Sequence, residues 1–108
     1  MTPYTEFKSD SQEERKLLEK RVEEYLKEQV KKHGGLCLKF VSPGTAGVPD
    51  RVVILNGVHF VELKRPEGGV LSKVQTAMHK RFERAGARVW VIRNREEVMR
   101  FVHEICSS

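Results

Sequence analysis

Val48-Pro49-Asp50-Arg51-Val52-Val53-Ile54-Leu55, then Asn56-Gly57, then Val58-His59-Phe60-Val61-Glu62-Leu63-Lys64: this stretch decides the fold. Both apolar runs read as strands, and Asn-Gly between them is a hairpin signal. Three charged residues interrupt the hydrophobic pattern toward the strand ends: Asp50, Glu62 and Lys64. Charged side chains are rarely buried unless paired or bound to a metal. Two acids and a lysine placed this way predict a divalent-metal site acting on phosphodiester bonds. Mg²⁺ takes oxygen ligands in near-octahedral geometry, with one or two carboxylates and the remainder from water and substrate. Asp50 and Glu62 can supply the carboxylates, and the backbone carbonyl of Leu63 a third oxygen. Lys64 follows Glu62 by two residues and so projects from the same strand face. Its ammonium could hold an attacking water or the charge developing on phosphorus. Zinc fits less well, because His33, His59, His79, His103, Cys37 and Cys106 show no ligand spacing.

The metal site also selects a strand register. A two-residue turn at Asn56-Gly57 would pair Leu55 with Val58 and turn Asp50 to the face opposite Glu62, since side chains alternate. A three-residue loop, Leu55-Asn56-Gly57, pairs Ile54 with Val58 instead. Asp50 then lies across from Glu62, with Cβ atoms about 4.5–5.5 Å apart. Glycine would take the left-handed position of a type I turn followed by a G1 bulge. The three-residue loop, or an equivalent bulge lower in the hairpin, is therefore expected.

Working outward, residues 1–11 read as a flexible leader and residues 12–108 as a single domain. Leu18, Val22, Tyr25, Leu26 and Val30 recur at helical spacing over about Gln12 to Lys32, and Gly34-Gly35 end that helix. Leu36 to Val41 is a first strand, and Ser42-Pro43-Gly44-Thr45-Ala46-Gly47 is a turn-rich loop leading into Asp50. Its glycines would let backbone amides approach a phosphate. Ser72-Lys73-Val74-Gln75 is a capping box opening a second helix that ends near Ala85-Gly86. Ala87 to Arg93 is a fourth strand, and Asn94-Arg95-Glu96-Glu97 a second capping box before a last helix reaching about Ile105. The order is α-β-β-β-α-β-α. Apolar residues on both faces of the middle strands imply an α/β fold with helices on each side of a sheet. The crossover through the second helix implies a parallel pairing.

Length and composition limit the alternatives. The chain has 108 residues, enough for one domain with a modest core. No run of 18 apolar residues exists, and the N-terminus lacks the apolar segment of a secretory signal. Two cysteines make no disulfide framework, so reduced thiols and a cytoplasmic setting are expected. The net charge of +5 is uneven. Residues 1–32 hold eight acids and eight bases, whereas residues 33–108 hold twelve bases and seven acids. A basic surface beside an acidic centre suits a polyanionic substrate.

Taken together, Gly47-Val48-Pro49-Asp50-Arg51, Phe60-Val61-Glu62-Leu63-Lys64 and Leu71-Ser72-x-x-Gln75, in this order behind the Gly-Gly helix end and the Ser-Pro-Gly loop, resemble the VRR-NUC family of the PD-(D/E)xK nuclease superfamily. The resemblance covers about residues 14 to 104. It implies a restriction-endonuclease-like core, α-β-β-β-α-β with a C-terminal helix and a mixed sheet. It also implies DNA cleavage dependent on Mg²⁺, with Mn²⁺ able to substitute, and a preference for branched DNA such as Holliday junctions. Small stand-alone members are often phage or bacterial proteins, which would place this chain in the host cytoplasm. Asp50 and Glu62 match the family's metal-binding acids, Lys64 its catalytic lysine, and Gln75 the glutamine that faces the site. The family's helix acid matches either Glu19 or Glu23, reaching the metal through water, with Glu19 favoured by the count back from Gly34-Gly35.

DNA contacts are expected from Lys39, Arg51, Lys73, Lys80, Arg81 and Arg84. A homodimer is expected because a two-fold symmetric junction needs two cuts and one domain carries one site. The alternative is a catalytically inactive nucleic-acid-binding protein or a phage accessory subunit.

Overall fold

A computed structural model describes residues 3–66 and 68–107, without the side chains of residues 3–12 and of Arg15. The elements are α1 (Pro3–Lys32), β1 (Leu36–Lys39), β2 (Arg51–Ile54), β3 (Val58–Leu63), α2 (Lys73–Arg84), β4 (Arg88–Ile92) and α3 (Arg95–Ser107). The type and order of every element match the reading from sequence. The strands run shorter than read, β1 ending at Lys39 rather than Val41 and β2 beginning at Arg51 rather than Val48, and the largest boundary difference is at the N-terminus. The first helix begins at Pro3 rather than near Gln12, so the stretch read as a leader is drawn into α1. Proline at the first helical position costs nothing, because that amide has no intrahelical partner in any case.

The four strands form one sheet in the order β1-β2-β3-β4. β1, β2 and β3 are antiparallel neighbours, and β4 joins β3 in parallel through α2. Alternation along the strands separates two faces. Val53, His59, Val61, Leu63, Trp90 and Ile92 share the face packed on α1 and α3. There they meet Val22, Leu26 and Val30 of α1 and Val98, Phe101, Val102 and Ile105 of α3, all buried. His59 lies edge-on to Phe101 and Trp90, and Trp90 edge-on to Phe101, with centroids 5.0 to 6.4 Å apart. The opposite face is covered by α2 over β3 and β4, where Phe82 packs at 4.9 Å on Phe60. α2 does not extend over the rest of that face. Leu36, Leu38, Ile54 and Val58 are 56, 49, 41 and 55% exposed, and the register aligns them across three strands.

Local chemistry explains the ends. Gly34 at φ +86° closes α1, with its N–H donating to Lys31 and that of Gly35 to Val30. Ser72 caps α2 with both bonds of the expected box: its Oγ accepts from Gln75 N–H, and the Gln75 side chain accepts from Ser72 N–H. The second box is formed only in part. Asn94 Oδ1 accepts from Glu97 N–H at 2.8 Å, but the Glu97 carboxylate accepts from Arg93 N–H rather than from the cap residue.

Candidate active site

The hairpin takes the register that the acidic pair requires. Ile54 pairs with Val58, Val53 with His59, Val52 with Phe60 and Arg51 with Val61. One step further, Asp50 lies across from Glu62. The connection is the three-residue loop, but its conformation differs from the one expected. Asn56 (φ +50°) and Gly57 (φ +116°) are both left-handed, and Leu55 N–H donates to the Gly57 carbonyl at 2.9 Å. A type I turn would have kept Asn56 right-handed. The reason is tertiary: Asn56 Nδ2 donates to the Ile105 carbonyl on α3 at 2.7 Å. Asparagine tolerates that backbone better than other non-glycine residues.

Asp50 follows Pro49, which is fully buried, and its own carbonyl accepts from Phe40 N–H at 2.8 Å. These contacts tie the residue to β1. Asp50 Oδ2 accepts from Leu63 N–H at 3.0 Å, so the carboxylate spans the gap to β3. Gly47 sits where the incoming loop crosses α2. A Cβ there would lie 2.7 Å from the Val74 carbonyl oxygen, and φ is +85°. Only glycine permits that approach.

Glu62 is 2% exposed under α2. Its pKa is pushed up to about 8, first by burial, then by a hydrogen bond and repulsion from Asp50; Glu19 adds to the rise and Lys64 opposes it. Glu62 is buried while Asp50 opens to solvent, so the negative charge is costly on Glu62, and a nearby cation would offset that cost. Gln75 Nε2 donates to Glu62 Oε2 at 3.3 Å, while Gln75 Oε1 stays on the helix cap. The other oxygen, Oε1, faces His79 Nε2 at 3.4 Å. His79 is 5% exposed, and burial lowers its pKa against the pull of Asp50 and Glu83. Lys64 is half-buried, anchored by its N–H to the Ile92 carbonyl at 3.0 Å.

The two helix acids have different surroundings. Glu23 pairs with Arg51 at 2.9 Å. Glu19 is the one whose charge acts on Glu62. Among the described residues no three His, Cys, Asp or Glu side chains gather into one metal-binding group, so Asp50 and Glu62 stand as a two-carboxylate pair. A cavity of about 410 Å³ opens beside Asp50, lined by Glu19, Lys16, Lys20 and Lys39 among others. Lys73, Lys80, Arg81 and Arg84 line a separate hollow along the exposed side of α2. Arg51, expected to meet DNA, pairs with Glu23.

Sequence reading missed three residues here. Lys16 and Lys20 flank Glu19 on α1, at a four-residue spacing that could have marked them. His79 was set aside for lack of metal-ligand spacing. The signal was its distance of four from Gln75, which puts both on one side of α2.

No protein-family model matches the chain. It is 44% identical over 80 residues to "Putative nuclease p44" of Acyrthosiphon pisum secondary endosymbiont phage 1, covering 72% of this chain and 85% of that protein. A solved structure described as a VRR_NUC domain superposes with a TM-score of 0.73 at 34% identity, over 79% of this chain and 94% of the other. The chain belongs to the VRR-NUC family of nucleases. This VRR-NUC nuclease carries Asp50 just before β2, Glu62 in β3, Lys64 just after it, and Gln75 and His79 on the crossover helix α2. Among the described residues no helix is long and apolar enough to cross a membrane.

Proposed function

We propose that this VRR-NUC protein is a Mg²⁺-dependent DNA endonuclease that acts on branched DNA as a homodimer in the cytoplasm of a bacterial host. The observation that carries the reading is Glu62, buried at 2% exposure and set across the hairpin from Asp50. Placing two acids there destabilises the metal-free fold, and a divalent cation offsets it. The residues fit such an ion. Asp50 and Glu62 would hold it, with the Leu63 carbonyl and, through water, Glu19 as further oxygen donors. Oxygen-only donors favour Mg²⁺ or Mn²⁺ over zinc. When bound, the ion would polarise the scissile phosphate and activate water.

The chain's own residues supply the remainder. Lys64 offers positive charge to the phosphorane oxygens or orients the attacking water. Gln75 holds one Glu62 oxygen, fixing the carboxylate plane. Lys16, Lys20 and Lys39 line the cavity beside Asp50, and Lys73, Lys80, Arg81 and Arg84 line a hollow on α2, so both surfaces offer cations to a phosphate backbone.

The open apolar face supports the dimer. Leu36, Leu38, Ile54 and Val58 are exposed, uncharged and aligned across three strands. With half-buried Val52 and Phe60 they form one uncharged patch that a second copy of the chain would cover. Incubation with supercoiled plasmid and with a four-way junction, with and without Mg²⁺, tests the proposal. Metal-dependent cutting that favours the junction is expected; full activity in excess EDTA would overturn it.

A further inference from the structure

Glu62 Oε1 and His79 Nε2 are both buried, and neither has a hydrogen-bond partner. They face each other at 3.4 Å. An orphaned buried donor and acceptor this close are one bond incompletely closed, because each alone costs the full desolvation of a polar group. Gln75, one helical turn earlier, already grips the second oxygen of the same carboxylate at 3.3 Å. α2 therefore presents two donors, spaced four residues apart, to the two oxygens of one acid.

We propose that His79 is a positioning residue for the metal site: its Nε2–H, with the Gln75 amide, clamps Glu62 so that the carboxylate's remaining lone pairs point toward Asp50. The inference rests on the metal-dependent reading above. The imidazole touches no substrate and no ion; it acts through Glu62. Such outer contacts fix the rotamer of a ligating side chain, and losing one typically costs about 10–100-fold in metal affinity. The clamp also couples the start of α2 to the site. Ser72, Gln75 and Glu62 form a continuous chain of bonds from the helix cap to the carboxylate. His79 extends the hold to the second turn, among the charges of Asp50, Glu83 and Lys64.

Packing is the competing role, since His79 is nearly as buried as the core. Two variants separate the roles. H79F fills the site without a donor; H79Q places an amide donor at comparable reach. Mn²⁺ binding to the full chain without DNA, followed by electron paramagnetic resonance, is the readout, with circular dichroism and melting temperature confirming the fold. H79F should bind Mn²⁺ about 10–100-fold more weakly than the natural protein, and H79Q should recover to within about threefold. Cleavage by H79F should regain much of its rate at high Mn²⁺. Wild-type affinity in H79F, or equal losses in both variants, would overturn the assignment. Failure of the metal-dependent reading looks different: the unsubstituted protein itself would bind no Mn²⁺, and D50N would change nothing.

Discussion

Glu62→Gln should stabilise the metal-free protein, and by more as pH rises. In the folded chain Glu62 keeps its proton up to about pH 8, whereas its ordinary value is 4.5. Between those values the folded state binds more protons than the unfolded state. The stability contributed by the protonated form is complete below pH 4.5, falls as pH rises, and is gone above about pH 8. At about 1.4 kcal/mol for each pH unit, the loss has a ceiling of about 5 kcal/mol, a large part of the 5–15 kcal/mol of a typical domain. His59 and His79 act in the opposite sense. Burial holds both below the usual histidine value of 6.5, so their neutral forms favour the fold, and stability is lost as pH falls through that region. The difference between E62Q and the natural protein cancels the histidines. That difference should widen by up to about 3 kcal/mol between pH 5.5 and 8.5. In a chain of this size the effect is on the order of 10 °C in melting temperature. Urea unfolding in EDTA at several pH values measures it. Adding Mg²⁺ should restore the natural protein at pH 8.5 and leave E62Q unmoved, because only the ionised pair gains by binding a cation. A difference independent of pH would refute the reasoning, since Glu62 would then not be the buried acid that the fold strains to hold.

The other predictions concern chemistry, binding and assembly. Lys64→Ala should slow cleavage by about 10²–10³ with little change in DNA affinity, measured by single-turnover cutting and gel shift. Arg81→Ala or Arg84→Ala should weaken binding and lower the salt dependence of log K by about one phosphate contact, seen in titrations at several salt concentrations. Ca²⁺ should support binding but little cutting, whereas Mg²⁺ and Mn²⁺ should support both. Leu38→Asp on the open sheet face should convert a particle of about twice 12.5 kDa into one of that mass by light scattering.

Much of this protein was legible because its signals are local. Ser72 and Gln75 specify a helix start whatever surrounds them, as Gly34-Gly35 specify an end, since both act within one turn of backbone. The alternation through Val52, Val53, His59, Phe60 and Val61 is a property of two strands alone. Asp50 and Glu62 could be placed opposite each other because a period of two leaves one register in which both acids share a face.

Other features needed the assembled chain. Asn56 turns left-handed because the Ile105 carbonyl, 49 residues away, accepts its amide. Glu23 is drawn from the site by Arg51, leaving Glu19 as the acid that acts on Glu62; helix spacing could not separate two residues one turn apart. His79 looked like any histidine on an amphipathic helix. Only the docking of α2 on the sheet set its ring against Glu62, and burial beneath that helix, together with Asp50 and Glu19, raised the acid's pKa to about 8. The sequence by itself determined the elements, their order and the strand register, because backbone bonding and side-chain alternation act between near neighbours. Tertiary structure decided which charged groups meet and at what cost, because desolvation and Coulomb energy depend on distances that no local pattern records.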